Sequence, residues 1–423
     1  MKVAILTMGT RGDLQPFVAI GCALLQRGHD VVICAPRDLT PFAAQAGLQT
    51  VSLPLSAQEI LNSETGKALL ANGHLLRFLR TLKDMWKGHE QQTFEACATA
   101  AAGADVLLAS HIMVPAAFQL AQHMGVPLVR VYMAPIMETA AFASPLLTTV
   151  NLGALNRLTH RAVDVLAWRT SKANAAGFAR HIGAPLPKDN LLQAAERAGG
   201  TVLHGYSSVL FHKPTDWGEH HVIAGMIQLP KAARARVGEA VPPPELLQWL
   251  DNGPPPVFFG FGSMPVIDPA ATLKMVEDVA ADCGVRALVG AGWSDLRGGS
   301  ANTLIVGTFD HDAILPRCRA AVHHGGCGTT HAVLRAGLPS VVCSFLGDQP
   351  FWASRLRRLG VGAHLQYKGL TRAKLTAALR TVLDDDSVAR ARALSLQIQA
   401  EDGASVCADH IERRRESTGI NAA

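Results

Sequence analysis

Long hydrophobic runs are missing from this chain. No stretch reaches the roughly 18 consecutive apolar residues that suggest a membrane-spanning helix, so no such helix is predicted. The amino terminus, Met1-Lys2 followed by Val3-Ala4-Ile5-Leu6-Thr7, lacks the longer apolar core and small-residue cleavage site of a signal peptide and reads as a first strand. The eight cysteines show neither CxxC nor zinc-ligand spacing, so a disulfide framework and a zinc module are excluded. Reduced, mostly buried thiols in a cytoplasmic protein are expected. Charge of one sign is also scarce. A formal net charge of +5 over 423 residues gives no support for nucleic-acid binding. Arg355, Arg357 and Arg358 read as a solvated helix face, and Arg413, Arg414 and Arg415 as a charged tail.

What is present is the composition of a globular protein, in a chain too long for one ordinary core. Two domains are therefore expected: 1–215, then a linker and domain start at 216–250, a second domain at 251–400, and a terminal helix and tail at 401–423. Val3–Met8 is an apolar run suited to a strand buried on both faces. Gly9–Asp13 reads as a turn, Leu14–Arg27 as a helix with Gly28 at its end, and Asp30–Ala35 as the next strand. Gly103–His111 and Pro127–Met133 repeat the theme. In the second half, Pro256–Phe261, Arg286–Gly290, Thr303–Val306, Ala320–His323 and Ser340–Phe345 are strand candidates. The pattern predicts parallel sheets flanked by helices, with ligands at the carboxyl ends of the strands. Gly73–Trp86 has amphipathic helical spacing and reads as a surface helix, or as a face over an acceptor pocket or a membrane.

The segment His323-His324-Gly325-Gly326-Cys327-Gly328-Thr329-Thr330 carries the most chemistry. Its glycines let backbone N–H groups approach an anion, and a helix starting there adds partial positive charge, so it can hold a diphosphate. One strand later, Asp348-Gln349 offers acceptors and donors suited to sugar hydroxyls. Together they suggest a nucleotide-sugar site. Asp13 follows the first strand, where an α/β fold places reactive groups. It can serve as a general base or as a helix cap.

Phe309–Gly362 resembles the donor-binding box of the inverting, metal-independent glycosyltransferases of the GT-B fold. These are α/β proteins with two Rossmann-like domains facing each other across a cleft. Met8-Gly9-Thr10-Arg11-Gly12-Asp13-Leu14-Gln15-Pro16 and Phe259-Gly260-Phe261-Gly262-Ser263-Met264 resemble the same UDP-glycosyltransferase family. Within it the match is to the branch of sterol glucosyltransferases and antibiotic glycosyltransferases. The stretch from about Ser52 to Val202 carries little of the resemblance.

The resemblance implies roles. Asp13 matches the branch's proposed base; many plant relatives use a His in this region, and none occurs here between Met1 and Gly28. Thr10, Arg11 and Gly12 would approach the donor's phosphates or sugar, with an exposed structural role for Arg11 equally open. His324 would contact the diphosphate, with His323 a buried structural partner. Gly325, Gly326, Cys327, Gly328 and Thr329 would form the turn into the helix, Cys327 serving as a small side chain and not as a nucleophile. Ser263 would face the phosphates. Trp293, Phe309 and His311 would hold the base and ribose, and Asp348 and Gln349 the hexose. Near strand ends, His111, Met113, Met133 and Phe142 are candidates for the acceptor pocket, or for core.

No metal and no cofactor are expected, the UDP-sugar being a co-substrate. Asp384-Asp385-Asp386 reads as a turn and helix cap, and His220-His221 shows no acidic or cysteine partner. The expectation is a cytoplasmic hexosyltransferase, peripheral to the membrane at most. It would move glucose from UDP-glucose to a hydroxyl of a hydrophobic small molecule such as a sterol or lipid. The alternatives are transfer from a TDP- or UDP-sugar to a polyketide or glycopeptide aglycone, a nucleotide-sugar epimerase, and a non-catalytic nucleotide-sugar binder.

Overall fold

The computed structural model describes residues 1–72, 81, 84–262, 268–292, 296 and 298–416. Among them lie two parallel sheets. The first has seven strands in the order β3-β2-β1-β4-β5-β6-β7: β1 Lys2–Leu6, β2 Asp30–Pro36, β3 Gln49–Leu53, β4 Val106–Ser110, β5 Leu128–Tyr132, β6 Val202–His204 and β7 His221–Ile223. The second has six in the order β10-β9-β8-β11-β12-β13: β8 Val257–Gly260, β9 Ala287–Gly290, β10 Thr303–Val306, β11 Ala320–His323, β12 Ser340–Ser344 and β13 Gly362–Gln366.

The continuous apolar runs form strands because both faces of each sheet are covered. Val3 and Ile5 enter one core with Phe17, Ile20 and Leu24, while Ala4 and Leu6 enter another with Leu107 and Val114. Adjacent residues of β1 thus serve opposite layers, as the two-residue side-chain period of a strand demands. In β8, Phe258 and Phe259 divide between the two cores of the second domain in the same way.

Helices that matter below are α1 Arg11–Gln26, α2 Leu191–Arg197, α3 Lys231–Arg236, α4 Cys327–Arg335, α5 Gln349–Arg358 and α6 Gly403–Glu416. Two boundaries differ from the sequence expectation. The first sheet continues past residue 215, because β7 pairs with β6. The terminal helix α6 belongs to the first domain's core, where Ala404, Cys407, Ala408 and Ile411 pack with residues of α1. The returning connection, at Glu401, meets both the outward one, at Met226, and the segment between β6 and β7, at Ser207. Glu401 accepts from Ser207 Oγ at 2.6 Å and from the Met226 backbone N–H at 2.8 Å. Most of Gly73–Trp86 lies outside the described residues.

Candidate active site

The first-domain side of the site is the turn between β1 and α1. The helix begins at Arg11, so Asp13 sits in its first turn and not in a preceding loop. Thr10 is the N-cap, and Asp13 Oδ2 accepts from the Thr10 backbone N–H at 2.7 Å and its Oγ1 at 3.3 Å. This is the reaching-back half of a capping box, which satisfies a helix-end donor and fixes the carboxylate. Gly9 makes the arrangement possible. Its φ is +139°, and a Cβ there would stand 2.2 Å from Asp13 Oδ2. Burial raises the Asp13 pKa, and the bonds from Thr10 oppose the rise.

Arg11 turns toward the linker. Its Nη2 lies 2.6 Å from Glu239 Oε1, its guanidinium also meets Gln15, and it stacks over Phe42 at 4.5 Å. Gly12 is exposed. Next along the sheet, Ser110 Oγ accepts from the Met8 backbone N–H, and His111 follows it. The His111 ring is 5.5 Å from that of Tyr132, and its Nδ1 is buried without a hydrogen-bond partner among the described residues. Burial lowers its pKa to about 4.

The second-domain side is the turn from β11 into α4. His323 is fully buried and its Nδ1 accepts from the Gly325 backbone N–H at 3.1 Å, a structural role. The His324 ring lies between two glycines: a Cβ on Gly262 would come within 2.8 Å of it, and one on Gly326 within 2.4 Å. Gly325, at φ +89°, has Val342 where a Cβ would go. Cys327 opens α4 and is buried. Burial pushes its thiol pKa well up, with the charges of Asp348 and Asp13 adding to the rise, so it is no thiolate nucleophile. Gly328 is exposed and Thr329 half-exposed in the first helical turn, where backbone N–H groups are unpaired. His331 fixes the helix to the segment between β6 and β7, its Nε2 accepting from the Ser207 backbone N–H at 2.9 Å.

Asp348 is the N-cap residue of α5, and its Oδ2 accepts from Trp352 Nε1 at 2.6 Å. Gln349 Oε1 accepts from the backbone N–H of Phe345 at 2.7 Å and of Leu346 at 3.3 Å, which pins the loop and turns the amide's carbonyl away from a ligand. Burial raises the Asp348 pKa to about 6, with the Asp13 charge a smaller contribution in the same direction. Burial lowers His324 to about 4, so its imidazole is neutral at pH 7.

The remaining candidates scatter. Phe309 is in the core, edge-on to Phe258, and His311 packs against both rings. Ser263 and Trp293 lie outside the described residues. Met113 is buried in the first domain, Met133 is half-buried at the end of β5, and Phe142 meets Phe211 and Phe351, the latter on α5. Sequence reasoning missed Trp352, although its place four residues after Asp348 puts both on one helix face. It also missed Glu239 and Arg234. Arg234 pairs with Asp310 at 2.7 Å and Asp312 at 3.1 Å, on either side of His311; no local signal marks these pairs. Asp384 caps its helix as expected, accepting from the Ser387 backbone N–H at 2.7 Å. The reading of His220-His221 needs correction, because Glu196 of α2 stands beside both rings.

Comparison with known proteins gives a consistent picture. Residues 3–118 match the glycosyltransferase family 28 N-terminal domain, and residues 277–416 match the C-terminal domain of erythromycin biosynthesis protein CIII-like proteins. An uncharacterized glycosyltransferase of Mycobacterium tuberculosis is 33% identical, over 93% of this chain and 94% of that one. A sterol 3-beta-glucosyltransferase of Arabidopsis thaliana is 30% identical over 95% of this chain, which spans 64% of that protein's length. In fold, the glycosyltransferase of kitacinnamycin superposes with a TM-score of 0.70 over 98% of both chains at 19% identity.

Proposed function

Because the chain belongs to the UDP-glycosyltransferase family of GT-B fold and is a glycosyltransferase, we propose that it moves glucose from UDP-glucose onto a hydroxyl of a hydrophobic small molecule such as a sterol or lipid. One observation supports this reading above others. The charge of Asp13 on one domain adds to the rise in the Asp348 pKa on the other, and both charges add to the rise at Cys327 at the head of α4. A base and a sugar-binding carboxylate thus border the turn suited to a diphosphate.

In this mechanism the acceptor hydroxyl gives its proton to Asp13 as its oxygen attacks the anomeric carbon. The new C–O bond forms on the face opposite the diphosphate. The bond to the β-phosphate oxygen breaks and its electron pair leaves with UDP, so the α-linked donor gives a β-linked product. Charge on the leaving diphosphate is met by the N–H groups of Gly328 and Thr329, the end of α4 and His324, donors that stand in place before the reaction. The proposed transfer needs no metal and no cofactor. Arg11 reaches the donor only by exchanging Glu239 for phosphate. Cleft closure over the substrates keeps water from hydrolysing the donor.

The match of residues 277–416 to an antibiotic-biosynthesis model favours a second reading, transfer from a TDP- or UDP-sugar to a polyketide aglycone. The reaction is assigned to the cytoplasm. Among the described residues no helix is long and apolar enough to cross a membrane, and Leu147, Val150, Leu155 and Leu158 expose apolar surface for peripheral contact. A mass-spectrometric screen of UDP- and TDP-glucose against mixed sterol, flavonoid and polyketide acceptors tests both readings. Glucosylated sterol or lipid is the expected product. Donor epimerised or hydrolysed without any acceptor product would overturn transfer itself.

A further inference from the structure

We propose that Glu196, His220 and His221 form a binding site for a divalent transition-metal ion of the zinc class, outside the cleft and independent of sugar transfer. The Nε2 atoms of His220 and His221 lie 3.2 and 3.1 Å from Glu196 Oε1, and the three ligand atoms all lie within 4.8 Å of one another. Zinc bonds to nitrogen and oxygen are about 2.0–2.2 Å, so neighbouring ligands on a tetrahedral ion stand about 3.3 Å apart. Both imidazole–carboxylate separations are already close to that value. Two imidazoles and one carboxylate are also a zinc-type donor set, with a fourth position left to water.

The shell behind these ligands is built. His221 Nδ1 lies 3.0 Å from His204 Nε2, and His204 Nδ1 lies 2.9 Å from the Tyr206 hydroxyl. With a metal on His221 Nε2, its Nδ1–H donates to His204, and His204 in turn donates to Tyr206, so one tautomer holds along the chain. Glu196 Oε2 accepts from Arg130 Nη1 at 2.6 Å, which orients the carboxylate and leaves Oε1 to the ion. An acceptor behind a histidine ligand, as His204 stands behind His221, fixes ring orientation and raises ligand basicity, while Arg130 orients the Glu196 carboxylate. The His220 ring lies against Gly218, where a Cβ would approach its Nδ1 to 2.8 Å. Entry is open, since the Glu196 side chain is 36% exposed and that of His220 is 33%, while His221 is buried. The Arg130 charge opposes a cation and weakens the site.

The ion would tie the carboxyl end of α2 to the start of β7, the short strand at the sheet's edge. A ligand that binds the folded state stabilises it in proportion to its occupancy. The test uses the full chain stripped with chelator and titrated with ZnCl2 by calorimetry, with thermal melting at the same zinc concentrations. Wild type should take up one equivalent and melt higher with zinc. His220→Ala, at a half-exposed position whose loss leaves the buried chain intact, should bind at least about a hundredfold more weakly, beyond the roughly 10–100-fold that an outer-shell partner is worth. His123→Ala, an exposed histidine elsewhere, should bind as wild type does. Co²⁺ in place of zinc should give the visible absorption of a four-coordinate site in wild type and His123→Ala, and not in His220→Ala. No saturable uptake by wild type, or equal uptake by His220→Ala, would overturn the proposal. Neither result bears on the glycosyltransferase reading, whose readout is product formation.

Discussion

Asp13 and Asp348 sit on different domains, yet the charge of Asp13 reaches Asp348 and adds to the burial that holds its carboxyl near 6. Burial is the larger cause and the Asp13 charge a small addition, so it is chiefly the buried position that lets the Asp348 carboxyl keep its proton to a higher pH than a surface carboxylate does.

The proposed base is tested through that proton. Burial raises the Asp13 pKa, so kcat/KM should fall as pH drops through a value above the usual carboxylate range. Asp13→Asn should lower kcat by roughly 10²–10⁴-fold, the usual contribution of a general base, and abolish that acid limb with donor affinity little changed. Wild-type turnover in this variant would remove Asp13 from the mechanism.

Sugar and diphosphate recognition should separate by calorimetry. Asp348→Ala should weaken UDP-glucose by on the order of ten- to a hundredfold, as a charged hydrogen bond of roughly 1.5–3 kcal/mol implies, and leave UDP nearly unaffected. His324→Ala should weaken both ligands. Equal losses of UDP and UDP-glucose in Asp348→Ala would show that this carboxylate does not read the hexose.

Chelation provides the metal test. Transfer should persist in excess EDTA at its original rate, while the zinc-dependent gain in melting temperature disappears. A rate that collapses and returns only with Mg²⁺ or Mn²⁺ would refute the metal-free mechanism.

Acid should unfold the protein through its buried histidines. Burial lowers His111, His311, His324 and His331 from 6.5 to about 4, and His323 to about 3. The unfolded chain therefore binds more protons between about pH 4 and 6.5, and stability must rise with pH across that window. Asp348 works the other way. Its folded value of about 6 against 3.8 favours the folded state at low pH, and that advantage is lost as pH rises through 6. Burial also raises Asp13, and raises Asp164 to about 7, but five imidazoles outweigh these three carboxyls. Urea unfolding should show a gain of at least about 2 kcal/mol from pH 5 to pH 7, and a flat or falling profile would contradict the assigned neutral histidines.

The sequence made the central strands legible because a parallel strand covered on both faces is apolar throughout. Thr303–Val306 and Ala320–His323 match β10 and β11 to the residue. Short strands with polar residues did not announce themselves: β6 and β7 contain histidines, and β13, Gly-Ala-His-Leu-Gln, is only partly covered. The site followed the same division. Asp13, His324 and Asp348 stand beside glycine-bearing turns that are visible locally. Glu239 beside Arg11, and Glu196 beside His220, join residues from elements that only the folded chain brings together.

Glu401 has a consequence for motion. By holding Met226 it fastens the outward and the returning passage of the chain to each other, and by holding Ser207 it ties both to the first sheet's β6–β7 segment. Together with the His331–Ser207 bond and the Arg234 pairs to Asp310 and Asp312, this gives the two halves a fastened pivot instead of a slack tether. Loosening that pivot would alter how fast the enzyme shuts over its substrates, although Glu401 belongs to neither side of the proposed site.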